Sequence, residues 1–161
     1  MNDKSLNTAY WLWKPIRETG IIGDMRTVLS TEWSLEIPKD FEHRKEGDHV
    51  VFWKAGVTLL TTIFAYSGER HRVMLLANLK ARVEAENLES IVENEDQIQR
   101  YAYLKQEEVM PGHIRLALHA FTTAPYGVLQ TSFYVDNVDD LHECLVIWKS
   151  VEWTDFSNQS E

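Results

Sequence analysis

The strongest constraint on this chain is a period-two alternation of apolar and polar residues that recurs six times between turn signals. Trp33, Leu35 and Ile37 point one way and Ser34 and Glu36 the other, until Pro38 stops the run. Glu46-Gly47-Asp48 makes a turn, His49 to Lys54 reads as a second strand, Ala55-Gly56 turns again, and Val57 to Tyr66 reads as a third. These three form a meander. The alternation returns at Ile98 to Gln106, His113 to Thr123 and Gly127 to Val135, separated by Pro111-Gly112 and Pro125-Tyr126-Gly127. Strands this short, with tight turns between them, pair antiparallel and bury one face.

Twice the period changes to that of a helix. After Ser67-Gly68, Val73, Leu76, Leu79 and Val83 lie within a narrow arc, with Arg70, Arg72 and Arg82 on the polar side, and an acidic stretch from Glu84 to Asp96 follows. Near Asn137 a last helix begins, with Leu141, Cys144, Leu145, Trp148 and Val151 as its dry stripe and Asp136, Asn137 and Asp139 as caps. The expected fold is α+β, a mainly antiparallel sheet of about six strands flanked by two principal helices. At 161 residues there is room for one such core. Residues 33–153 read as the domain, 1–32 as an extension packed on it, and 154–161 as a polar tail.

The stretch from Ser34 to Trp153 resembles the Mog1/PsbP-like domains, especially their small bacterial members. The resemblance rests on an early strand ending in Ile37-Pro38, two strands bracketing a Gly turn, a helix, a three-strand return, and a last amphipathic helix ending in Trp148 to Val151. It implies a sandwich fold. It also implies a role like that of several bacterial members, small chaperones or adaptors that hold hydrophobic helices of secreted effectors.

Charge narrows the partners. The chain carries −9, unevenly: residues 1–82 hold 12 Lys/Arg against 10 Asp/Glu, whereas residues 83–161 hold 4 against 15. Gripping a phosphate backbone needs clustered Lys and Arg, so nucleic acid is not expected. The acidic half serves solubility, or complements a basic toxin in an immunity-type inhibitor. One cysteine, Cys144, excludes an intrachain disulfide and a Cys-rich zinc site, and its place in the last helix's stripe makes it a core residue. The apolar run Ala9 to Trp13 is too short for a signal-peptide core or a membrane span, and the reading is cytoplasmic.

No set of residues for chemistry emerges. There is no Gly-x-Ser-x-Gly elbow, no His-Glu-x-x-His and no phosphate-cradling glycine order. His113 and His119 share a strand face but sit roughly 20 Å apart, too far for one ion. Glu107 and Glu108 are adjacent at a strand end and point to opposite faces. Asp136, Asp139 and Asp140 lack the ligand spacing of a calcium loop and serve as caps. No catalytic residue, metal or cofactor is expected.

The remaining signal is a mixed aromatic and polar sheet face. Ile114, Leu116, Leu118 and Ala120 make one apolar side of a strand, suited to cover by a helix, while Arg115, His119 and Phe121 lie on the other. With Tyr101 and Tyr103, with Gln130 and Tyr134, and with Trp53 if the register allows, they form a surface of the kind that recognises partners. Antiparallel sheets also put such residues on an ordinary wet side. The functional expectation is a non-enzymatic protein-binding module holding a peptide, helix or protein on this exposed face. The alternatives are a small-ligand protein or enzyme using His119, Arg115 and Tyr134 in a pocket, and a homodimer formed through this face or the Trp11/Trp13 segment.

Overall fold

The computed structural model describes residues 25–155. Trp11 and Trp13, and the end of the tail beyond residue 155, lie outside them. Within the described residues ten strands make two sheets: β1 (Met25–Val28), β2 (Trp33–Ile37) and β10 (Glu152–Trp153) form a small antiparallel one. The larger has seven strands in the order β3-β4-β5-β9-β8-β7-β6. Its members are β3 (Glu42–Glu46), β4 (His49–Lys54), β5 (Val57–Ala65), β6 (Ser90–Glu95), β7 (Ile98–Met110), β8 (His113–Ala124) and β9 (Gly127–Val135). Helix α1 covers Glu69–Ala85; a 3-10 turn at Val138–Asp140 leads into helix α2, Leu141–Lys149.

The α+β class, the antiparallel sheet and the two helices match the expectation; the strand count does not. β1, β3, β6 and β10 have no alternating apolar signature. β3 is Glu-His-Arg-Lys-Glu, exposed throughout, and β6 alternates only weakly before its carboxylates. Both are edge strands, where charge guards against pairing with other chains. The expected three-stranded meander is also corrected. β2 does not pair with β4 but lies between β1 and β10, which lie within or at the edge of stretches read as extension and tail. β1 pairs with all but the first residue of β2, and Thr154 N donates to Glu32 O at 2.8 Å.

One face of the large sheet packs on α2 and the small sheet. Trp33, Leu35 and Ile37 from β2 meet Leu59, Leu118, Leu129 and Phe133 from the sheet, and Leu141, Cys144, Leu145 and Trp148 from α2. The last helix's expected stripe is therefore all core. Asn137 accepts from Asp139 N at 3.0 Å, capping the 3-10 turn. Lys54 ties β4 to this helix through Glu143 at 2.6 Å and also holds Asp40 at 3.1 Å. Of the β8 residues expected under the helix, Leu118 and Ala120 are buried but Ile114 is 64% exposed. Leu116 pairs with Val135, the last residue of β9, so Ile114 lies beyond the neighbouring strand and the core.

The connection from β5 to β6 positions the other helix. β5 ends beside β9, whereas β6 is the far edge, four strand spacings or ~19 Å away. A 17-residue helix, ~25 Å long, is enough to cross β9, β8 and β7. Asn87, at φ 52°, takes the left-handed conformation that stops α1, and Leu88 N closes back on Val83 O at 3.0 Å. Leu79 and Val83 pack on Tyr101, Tyr103, Phe121 and Val128. The expected apolar arc is partly wrong: Val73 is 57% exposed, and Arg72 takes the buried place. Its guanidinium bonds Thr123 Oγ1 at 3.2 Å and the backbone oxygen of Gln97, pinning the first turns of α1 to the sheet.

Candidate binding cleft

Because α1 runs across the sheet instead of lying flush along it, a cleft of about 970 Å³ opens on one flank. The helix wall consists of His71, Leu75, Leu79 and Arg82, one side of three turns. The floor is Tyr103, Lys105 and Glu107 from β7, His119 and Phe121 from β8, and Val128 and Gln130 from β9; Phe64 and Tyr66 close one end. A smaller cleft of about 400 Å³ lies on the other flank, between Leu76, Lys80 and Val83 of α1 and Val92 and Tyr101 of the sheet.

The floor is apolar at the Phe64 end and polar toward Glu107. Register explains the polar cluster: Tyr103, His119 and Ser132 are direct cross-strand partners on β7, β8 and β9. The His119 ring lies between Glu107 Oε1, 2.6 Å from Nε2, and Ser132 Oγ, 2.9 Å from Nδ1. Gln130 Nε2 donates to the same Ser132 Oγ at 3.2 Å. A carboxylate can only accept, so Nε2–H donates to Glu107, and Nδ1 is left to share a proton with the Ser132 hydroxyl. Tyr134 also bonds Glu107; burial first, then the charge of that carboxylate, pushes its phenol pKa up. At the adjoining edge, Lys105 pairs with Glu86 at 3.0 Å, and that hydrogen bond raises the lysine pKa.

The residues expected to recognise a partner divide accordingly. Tyr103, His119, Phe121 and Gln130 line the main cleft, and Tyr101 lines the smaller one. Trp53 does share their face, since Trp53, Thr58, Tyr134 and Ala117 are consecutive cross-strand partners, but it lies outside the cleft beneath Arg44 at 5.8 Å. Arg115 is a structural tie: Nε meets Asp136 at 2.9 Å and Nη2 donates to Tyr134 O at 3.0 Å. The expectation of an exposed face is corrected, because Tyr101, Tyr103, Phe121 and His119 are only 5–8% exposed. Helix α1 covers the first three, and His119 is enclosed by Tyr103, Tyr134, Ser132 and Glu107. Sequence reasoning placed Glu107 at the end of a shorter strand and so missed its tie to His119. β7 runs on to Met110, and continuing the alternation Tyr101, Tyr103, Lys105 by one step would have put Glu107 on the same face.

Chemically the cleft offers apolar area, Arg82 on its wall, a Lys105–Glu86 ion pair at its edge and a fixed hydrogen-bonding floor. The Glu107–His119–Ser132 chain has the partners of an acid/base relay, but Ser132 is buried in a central strand and both ring nitrogens of His119 are engaged. Among the described residues, no cluster of three or more His, Cys, Asp or Glu is arranged to hold a metal ion, and no helix is long and apolar enough to cross a membrane.

No family model and no curated protein matches this chain. Solved structures do. The solution structure of cyanobacterial PsbP (CyanoP) from Synechocystis sp. PCC 6803 superposes with a TM-score of 0.55 at 15% identity, over 85% of this chain and 96% of that one. The crystal structure of LpqN, a protein involved in cell envelope biogenesis of Mycobacterium tuberculosis, gives 0.51 at 14% identity, over 83% and 86%. A structure from Bacteroides thetaiotaomicron VPI-5482 gives 0.55 at 12% identity, with 78% of this chain matched to 46% of that one, so the chain spans about half its length. The fold is that of PsbP/Mog1-like proteins, as the resemblance implied.

Proposed function

We propose that the chain is a non-enzymatic binding protein, an adaptor or chaperone that holds a largely apolar segment of a partner protein in the cleft beside α1. The observation that carries this reading is the cleft itself: about 970 Å³, with Leu75 and Leu79 in its wall, aromatic residues in the floor and a polar row locked by its own hydrogen bonds. A preformed floor reduces the ordering cost of binding, and aromatic residues give large contact area with few rotors. The engaged state of His119 and the burial of Ser132 favour a recognition floor over acyl transfer. The partner surface thus moves from an open sheet face to the trough that α1 leaves uncovered.

The test is site-specific photocrosslinking in the native host. A benzophenone side chain replacing Leu75 or Gln130 should join the same discrete partner, while one replacing Val28, on the small sheet, should not. Equal labelling from all three positions, or none from the two cleft positions, would refute the assignment.

A further inference from the structure

Helix α1 turns one side to the sheet and leaves the opposite side uncovered. Val73 and Met74 are more than half exposed there. At ~100° per residue both lie within ~60° of Ala77, as do Arg70, Lys80, Ala81 and Glu84, all of them exposed. The wall of the main cleft, His71, Leu75, Leu79 and Arg82, lies ~120° or more from Ala77, so the two surfaces are separate. Arg70 and Glu84 have no ion-pair partner among the described residues. They stand ~21 Å apart along the axis, so they cannot meet within one helix.

This face is complementary to itself when reversed. Arg70 and Glu84 lie seven positions either side of Ala77, Val73 and Ala81 four, Met74 and Lys80 three. A second copy laid antiparallel, with the two-fold axis at Ala77, sets Arg70 of each chain against Glu84 of the other, Val73 against Ala81, and Met74 against the aliphatic stem of Lys80. Alanine at the axis lets the two backbones approach closely. A parallel pair would instead oppose like charges. The whole chain carries −9, so two copies repel over most approaches, whereas α1 holds four bases against two acids.

We infer that the chain forms a homodimer through the outer face of α1, two copies packing antiparallel about Ala77. This goes beyond the cleft reading and does not depend on it. Two ~25 Å helices meeting along one face bury less than the ~1,200 Å² of a standard interface, so the dimer is weak, with a dissociation constant on the order of 10–100 µM.

Sedimentation velocity with the full chain, from about 5 to about 500 µM, should show the mean mass rising from monomer toward dimer. Arg70→Glu and Glu84→Arg should each weaken association about tenfold, because the two-fold axis counts every change twice. The double variant should restore it, and an equimolar mixture of the two single variants should associate better than either alone. Under a mild oxidant Ala77→Cys should link two chains, while Arg70→Cys alone should not, its two copies being ~21 Å apart in the antiparallel pair; buried Cys144 does not compete. A monomer mass at every concentration overturns the inference. So does a dimer that the charge swaps leave unchanged, which would place the contact on another surface, and so does linkage through Arg70→Cys, which would make the pair parallel. A benzophenone side chain replacing Ala77 that joins a different protein in the native host, and never a second copy, would give the face to a helix of that protein and overturn the homodimer. None of these outcomes touches the crosslinking from Leu75 and Gln130, so the cleft reading stands or falls separately.

Discussion

Arg72→Met tests whether a buried guanidinium, and not an apolar stripe, fastens α1 to the sheet. Methionine keeps most of the stem that packs beneath the helix but removes every N–H. The wild-type group donates to Thr123 Oγ1 at 3.2 Å and to Gln97 O, and meets Glu69 at 3.3 Å. The Glu69 contact is half in solvent and contributes little. The other two are charge-assisted, the first buried and the second half-buried, each worth about 1.5–3 kcal/mol net, and the truncation also strands their acceptors. Relief of the guanidinium's desolvation offsets part of this, leaving a loss of about 2–4 kcal/mol. The apolar contacts of α1 on this face are few: Leu79 and Val83 are buried, while Leu75 and Leu76 are partly so. The loss should therefore appear first as local opening. Hydrogen exchange should speed up by roughly 30- to 1000-fold in the α1 amides and much less in β8 and β9, with a lower denaturant midpoint. Arg72→Lys should fall between, because one ammonium does not reproduce the fork that spans Thr123 and Gln97. If Arg72→Met leaves α1 protection and the denaturant midpoint unchanged, the helix is held by its leucines and the pin is ornamental.

Two further outcomes follow from burial. Cys144 lies wholly inside the α2 core, and desolvation pushes its thiol pKa far up, so a thiolate-selective reagent should label the native protein only at the rate of its opening and label it at once in denaturant. Immediate native labelling would contradict the packing of α2. Tyr66 donates its phenol proton to Ala124 O, and burial raises its pKa from 10.0 to about 12. The unfolded chain releases that proton first, so the contribution is complete below pH 10 and is lost as the pH rises through about 12; partial exposure keeps it small. Tyr66→Phe should flatten the decline of the denaturant midpoint across that window, and an unchanged slope would count against the burial of that phenol.

Legibility in the sequence followed solvent contrast. The strands whose residues alternate apolar and polar are legible: Trp33, Leu35 and Ile37 announce β2, and the run from Gly127 to Val135 announces β9 even though the fold buries both of its faces. β3 was hidden because all five of its side chains are exposed, so nothing alternates. β6 is hidden in an acidic stretch, where only Ile91 and Glu93 are partly buried and the second of them is a carboxylate. Helix α1 was located by its leucines, but its buried face was misassigned at Arg72 and Val73. A helix that crosses strands at an angle buries what the crossing dictates, and a guanidinium is buried where Thr123 and the Gln97 carbonyl meet it.

Period two alone picks out four of the residues that line the cleft, Tyr103, His119, Phe121 and Gln130, because alternation is a local property of an extended backbone. Whether those residues meet solvent was not a local property. It was decided by strand order, which places β6 four spacings from β5 and so forces α1 across the face they occupy. That crossing turned an open aromatic surface into a covered floor with a trough beside it. It also brought Arg82 and Lys105, 23 positions apart in the chain, to one rim. The chain dictated its faces by the chemistry of single strands; the cleft exists only because a long connection had to pass over three of them.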